Sequence, residues 1–151
     1  MALEDDIRIL ERVKLFEDFT RDQLRLLAFG AETLRLRAGR DLYREGAAAD
    51  SAYVVTAGKI ELSRNRDGET VKAGEAGPGA MLGELALISG GKRLTSAAAA
   101  EDSEVMRLNR SLFRRILEEY PEVANALHAR ISANMKSMLD DITRLGSRFG
   151  E

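Results

Sequence analysis

GELALISGGKRLTSAAA, residues 83 to 99, sets one carboxylate, Glu84, and one guanidinium, Arg93, nine positions apart around a glycine-rich run. Glycines let backbone amides approach an anion without interference from a Cβ, and a short helical turn after Gly83 would aim free N–H groups at it. Arg93 could neutralise a phosphate through two parallel hydrogen bonds. Glu84 beside a phosphate makes sense only as an acceptor for hydroxyls such as those of a ribose. Phosphate and sugar hydroxyl together describe a nucleotide. The competing reading is a solvated Glu–Arg pair in a loop that needs tight turns. A Walker A loop is excluded, because Gly91-Lys92 has Ala86 where the first glycine belongs and Arg93 where Ser or Thr belongs.

Outward from this stretch the chain keeps a strand-and-turn rhythm. Ten of the 13 glycines fall between 39 and 91. Short apolar runs lie between them: Leu42-Tyr43, Tyr53-Val54-Val55, Ile60 with Leu62, Val71, and Met81-Leu82. Leu34, Leu36 and Ala38 alternate with Arg35 and Arg37, the period of a half-buried strand. Asn65-Arg66-Asp67-Gly68 reads as a hairpin turn, since Asn, Asp and Gly tolerate positive φ. Regularly spaced strands of this kind predict an antiparallel sandwich or barrel rather than alternating βαβ units.

Both flanks carry a helical period. Residues 3 to 30 predict two short helices broken near Phe16 to Phe19, with Thr20-Arg21-Asp22-Gln23 as a capping box at the start of the second. Ser111 is the expected cap of a helix bearing Leu112, Ile116 and Leu117, which should stop or turn at Pro121. Beyond it, Ala124, His128, Ile131, Met135, Met138, Ile142, Leu145 and Phe149 follow a heptad a/d spacing. A stripe that narrow is either a helix–helix seam or a face packed on the chain's own β-domain.

Composition narrows the chemistry. At 151 residues one hydrophobic core is expected. With 23 basic and 25 acidic residues the net charge is −2, which gives no electrostatic footprint for nucleic acid. Zero cysteines exclude disulfides, thiolate zinc sites, iron–sulfur clusters and a cysteine nucleophile, and one histidine excludes a multi-histidine metal site. The start, MALEDDIRILERVK, has acids where a secretory signal has Lys or Arg, and no window has the roughly 18 apolar residues of a membrane span. A cytoplasmic protein without a membrane segment is the expectation. There is no nucleophile–base pair, so catalysis is not expected either.

GELALISGGKR followed by small residues resembles the phosphate-binding cassette of the cyclic-nucleotide-binding domain family, which includes protein kinase A regulatory subunits and catabolite-activator regulators. LRAGRDLYREGAAADSAYVVTAGKIEL, 36 to 62, is similar to the family's early strands, and EVMRLNRSLFRRILEEYPEV, 104 to 123, to its last strand and following helix. The resemblance implies a mainly β fold: an antiparallel β-roll of jelly-roll type over 31–109, with N-terminal helices over 3–30 and C-terminal helices over 110–147, forming one domain over 1–151. It also implies that Glu84 accepts from the ribose 2′-hydroxyl, that Arg93 meets the cyclic phosphate, and that amides around Gly83, Leu85 and Ala86 line the ligand. Leu94 and Thr95 take the place of the small residues after the arginine. Leu94 is a departure, since the family usually carries Ala, Ser or Thr there. Another departure concerns the base, for which the long helix offers Met135, Met138 and Leu139 without a hydroxyl.

The expected function is a regulatory sensor that binds cyclic AMP or cyclic GMP, has no other cofactor, and signals through its C-terminal helices to a homodimer surface or a downstream protein. No recognition helix or basic patch is present to read DNA directly. His128 is expected to be packed in the apolar stripe rather than to ligate haem. The alternative is a degenerate member that binds no nucleotide and serves as a dimeric interaction scaffold.

Overall fold

The computed structural model describes residues 2–87 and 91–133. Helix α1 (Ala2–Glu11) leads through a 3-10 turn (Lys14–Phe16) to α2 (Arg21–Gly30). Eight strands follow: β1 (Glu32–Leu36), β2 (Asp41–Tyr43), β3 (Ser51–Ala57), β4 (Ile60–Arg66), β5 (Glu69–Ala76), β6 (Met81–Leu82), β7 (Ser96–Ala99) and β8 (Ser103–Asn109). Helix α3 (Arg110–Glu119) and a further helix, α4, over 121–133 cover one side. The strands form two antiparallel four-stranded sheets, β1-β8-β3-β6 and β2-β7-β4-β5, the β-roll expected from the sequence.

Strand β3 explains the layering. Ser51 through Val55 are all buried, because this central strand is covered on both faces. Ala52 and Val54, with Met106 and Leu108 of β8, face the helices, where Ile7, Leu10, Phe16, Leu27, Phe113 and Leu127 complete a large apolar cluster. Tyr53 and Val55 face inward with Val105, Ile60, Leu82, Ala97 and Ala99 to fill the roll. Alternation along a pleated strand divides one sequence between two cores.

Local chemistry sets the boundaries. The Thr20 hydroxyl accepts from the Gln23 amide at 3.2 Å while the Gln23 side chain accepts from the Thr20 amide at 2.8 Å, the capping box read in the sequence. Between β4 and β5, Asp67 and Gly68 adopt φ of 52° and 85°, and the Asn65 side chain accepts from Gly68 N at 3.0 Å. Two consecutive left-handed residues match the twist of the hairpin they join.

Several expectations are corrected. The cap of α3 is Asn109, whose side chain accepts from Leu112 N at 2.8 Å, and not Ser111. Strand β8 runs directly into the helix, so the residue with extended backbone just before it takes the capping position. Ala38 lies exposed beyond the end of β1, its amide held by Asp102 at 2.9 Å, and Val71 is exposed on the outer hairpin. At Pro121, by contrast, the helix stops as expected, and the proline opens the next one, as its missing N–H and fixed φ permit at a first helical position. In α4 the buried residues are Val123, Leu127 and Ile131, spaced four apart, while Ala124 is half-buried and His128 exposed. The stripe phased on Ala124 and His128 thus sits about 100° away from the packed face at 3.6 residues per turn. Met135, Met138, Leu139, Ile142, Leu145 and Phe149 lie outside the described residues.

Candidate functional site

The short strand β6 pairs with β3, Tyr53 opposite Leu82 and Val54 opposite Met81, and so delivers the next residue, Gly83, to the end of the roll. Gly83 has φ of 70°, which favours glycine, and the 3-10 turn Glu84–Leu87 begins directly after it. That turn packs against both β3 and α3. Glu84 is half-buried there, and Ala86 is buried with its amide donating to Gly83 O at 3.0 Å. The Ala86 N–H, expected to line a ligand, is therefore engaged in closing the turn. Of Leu85 only its place in the turn is described.

The opposite side of the site comes from the segment entering β7. Arg93 N donates to Ala47 O at 2.8 Å and Gly46 N to Arg93 O at 2.9 Å, so the backbone is fixed on both sides of the side chain. The Arg93 side chain turns inward and is only 6% exposed. Its Nη2 donates to Ser51 O at 2.8 Å, whereas Nε and Nη1 are buried without a hydrogen-bond partner among the described residues. A Cβ on Gly83 would lie 2.3 Å from Nη1, so the glycine permits the close approach. Residues 83 and 93 of the opening stretch are thereby brought into contact. Leu94 points outward, 54% exposed, and Thr95 is half-buried.

Burying a guanidinium with two unsatisfied nitrogens is costly: each unpaired buried donor costs about 1–3 kcal/mol, and more for a charged group. Two rings lessen that cost in part. Arg93 Cζ lies 4.4 Å from the Tyr43 ring centroid and 5.6 Å from that of Tyr53, and the rings stack on each other at 5.9 Å. Burial pushes the Tyr43 hydroxyl above its ordinary pKa of 10.0, opposed by the nearby Thr95 side chain and by the Arg93 charge; nearby Glu84 raises it further.

Ser51, fully buried, joins the site to the base of α3. Its carbonyl accepts from Arg93, while its hydroxyl donates to Asp50 at 2.9 Å and accepts from Arg107 Nε at 3.0 Å. Asp50 O in turn accepts from Arg110 N at 3.1 Å, at the first residue of α3. The Ser51 bond, with the Arg107 charge, holds the Asp50 carboxyl below its usual range. Tyr43, Tyr53 and Ser51 were not legible as site residues. Tyr43 and Tyr53 read as members of apolar strands, and only the closing of the roll places them under Arg93.

Among the described residues no group of three or more His, Asp or Glu could hold a metal ion, and no helix is long and apolar enough to cross a membrane.

Comparison with known proteins bears on the fold and the family. A structure of a cyclic nucleotide-binding-like protein from Brucella abortus is 59% identical, covering 76% of this chain and 98% of that one, with a TM-score of 0.70. The regulatory domain of Toxoplasma gondii protein kinase A, solved with cyclic AMP, is 28% identical over 76% of this chain and 44% of that one, with a TM-score of 0.72. A lysophospholipase of Neurospora crassa is 30% identical over 78% of this chain, which spans only 8% of that protein's length. The model of the cyclic nucleotide-binding domain matches residues 33–120, from β1 to the end of α3. With that match covering more than half of the sequence, and a β-roll that brings Arg93 against Gly83, the chain belongs to the cyclic nucleotide-binding domain family.

Proposed function

We infer that the chain is a non-catalytic sensor for cyclic AMP or cyclic GMP. The observation that carries this reading is the Arg93 guanidinium, buried beside a glycine turn with Nε and Nη1 unpartnered. A singly charged cyclic phosphate supplies oxygens to those nitrogens and converts two unmade hydrogen bonds into charge-assisted ones. Glu84, at the first position of the turn, takes the ribose 2′-hydroxyl as an acceptor. Leu94 contributes its peptide and lies clear of the buried guanidinium, since its side chain faces solvent.

Signal transmission follows from packing. The turn Glu84–Leu87 touches α3, and the Ser51–Asp50 link reaches the first residue of the same helix. A ligand that prefers one setting of turn and helix shifts the population of α3 and α4 together. The same reading includes a homodimer or downstream partner on the outward side of α4, where His128 is exposed, and a cytoplasmic setting for a chain with no cysteine. The net charge of −2 supports a sensor that does not itself bind DNA.

Isothermal calorimetry with cyclic AMP, cyclic GMP and their linear monophosphates tests the reading. One cyclic nucleotide should bind, and Arg93→Ala should weaken it by about 3 kcal/mol, roughly a hundredfold or more. No heat from either cyclic nucleotide at millimolar concentration would sink it.

A further inference from the structure

Among the described residues one hydrogen bond, from Nη2 to Ser51 O, anchors the Arg93 guanidinium. One such bond leaves the plane of the group able to turn about it, and that plane decides where Nε and Nη1 present their protons. An aromatic face lies against it. The Tyr43 ring lies under the guanidinium with Cζ 4.4 Å from its centroid, inside the range of about 6 Å at which a cation is held over a ring face. Gly83 closes in on Nη1 from another direction, where a Cβ would leave only 2.3 Å.

Tyr43 is itself held at two points: its backbone is paired with β7 opposite Ala97, and its ring is stacked on Tyr53 at an interplanar angle of 26°.

We propose that Tyr43 is a positioning residue of the anion site, its ring face setting the plane of the Arg93 guanidinium. This rests on the cyclic nucleotide reading for the identity of the ligand, and on the geometry alone for the position of the arginine. The face serves a cation in this setting because Arg93 is almost fully removed from water, the condition under which the attraction is strongest. An aliphatic side chain of similar reach fills the volume but supplies no such face.

The test compares wild type with Tyr43→Phe, Tyr43→Leu and Tyr43→Ile by calorimetry with cyclic AMP and cyclic GMP, by thermal unfolding, and by NMR of the arginine Nε–Hε signals, with that of Arg93 assigned by its loss in Arg93→Lys. In wild type and Tyr43→Phe the Arg93 Hε signal should be displaced upfield by the ring. Tyr43→Phe should bind within about threefold of wild type. Tyr43→Leu or Tyr43→Ile, whichever folds with a wild-type melting midpoint, should lose the displacement and bind about tenfold more weakly, as expected for loss of a desolvated cation–π contact. Wild-type affinity in the folded aliphatic variant, or an undisplaced Hε in wild type, would overturn the proposal. A wild-type protein that binds neither nucleotide but keeps the displaced signal refutes the ligand and leaves the positioning role standing.

Discussion

Strand β3 has two faces, and they meet different surroundings. On one, Ala52 and Val54 lie among Phe16, Phe113, Leu27 and Ile131, all nearly or fully buried hydrocarbon. On the other, Tyr53 stacks on Tyr43 and both lie near a buried guanidinium. The helix-facing side gains stability with every methylene removed from water. The roll-facing side, near its open end, gives up some of that gain to keep a cation ready for an anion. The lesson is that burial has two uses in this molecule, and substitutions to apolar or smaller residues should have opposite signs on the two faces.

The largest expected effect is on the helix side. Phe113 is fully buried, with ring centroids 6.0 Å from Phe16 and 6.1 Å from Phe19. Phe113→Ala should destabilise the fold by about 3–5 kcal/mol, measured by urea unfolding. A loss below about 1 kcal/mol would show that this face is not a close-packed core.

Arg93→Met should act in the opposite direction. It removes the two unsatisfied nitrogens and sets an adaptable thioether against Tyr43 and Tyr53, while leaving Ser51 O without its side-chain donor. The unliganded protein should gain about 1–2 kcal/mol in the same unfolding assay while losing nucleotide binding. A marked loss of stability would erase the contrast between the two faces.

The smallest effect lies at the rim of the helix side. Arg130 of α4 pairs with Asp18 at 2.8 Å and with Glu17 at 3.1 Å, all partly exposed. The hydrogen bond from Arg130 lowers the Asp18 carboxyl below its ordinary value of 3.8. A group whose pKa is lowered by folding contributes stability above its unfolded value, and that contribution disappears as pH falls through the folded one. Melting midpoints of wild type and Asp18→Asn should therefore differ slightly near neutrality and converge as the pH drops below 3.8. An equal difference at all pH values would detach the pair from α4 docking.

Particular residues show how much could be read beforehand. The Thr20–Gln23 capping box and the Asn65–Gly68 turn were legible because their partners lie within three residues. Glu84 and Arg93 were legible as a motif, and the contact of Gly83 with Arg93 follows from the roll that the motif belongs to. The phase of α4 was not legible. Ala124, His128 and Ile131 satisfy the heptad as well as Val123, Leu127 and Ile131 satisfy a four-residue step, and the surface beneath the helix chose the latter.

From the sequence alone come the order of helices and strands, an antiparallel sandwich or barrel between the helices, and one carboxylate and one guanidinium set around a glycine run, since periodicity, turn chemistry and motif spacing are properties of neighbouring residues; the β-roll in particular was what the family resemblance implied. The tertiary structure decided that Arg93 is buried with Nε and Nη1 unpartnered, that Tyr43 lies under it, and that Ser51 ties it to α3. Those contacts join residues far apart in sequence, from 42 positions for Ser51 and Arg93 to 60 for Asp50 and Arg110, and only the pairing of β2 with β7 and of β3 with β8 brings them within reach.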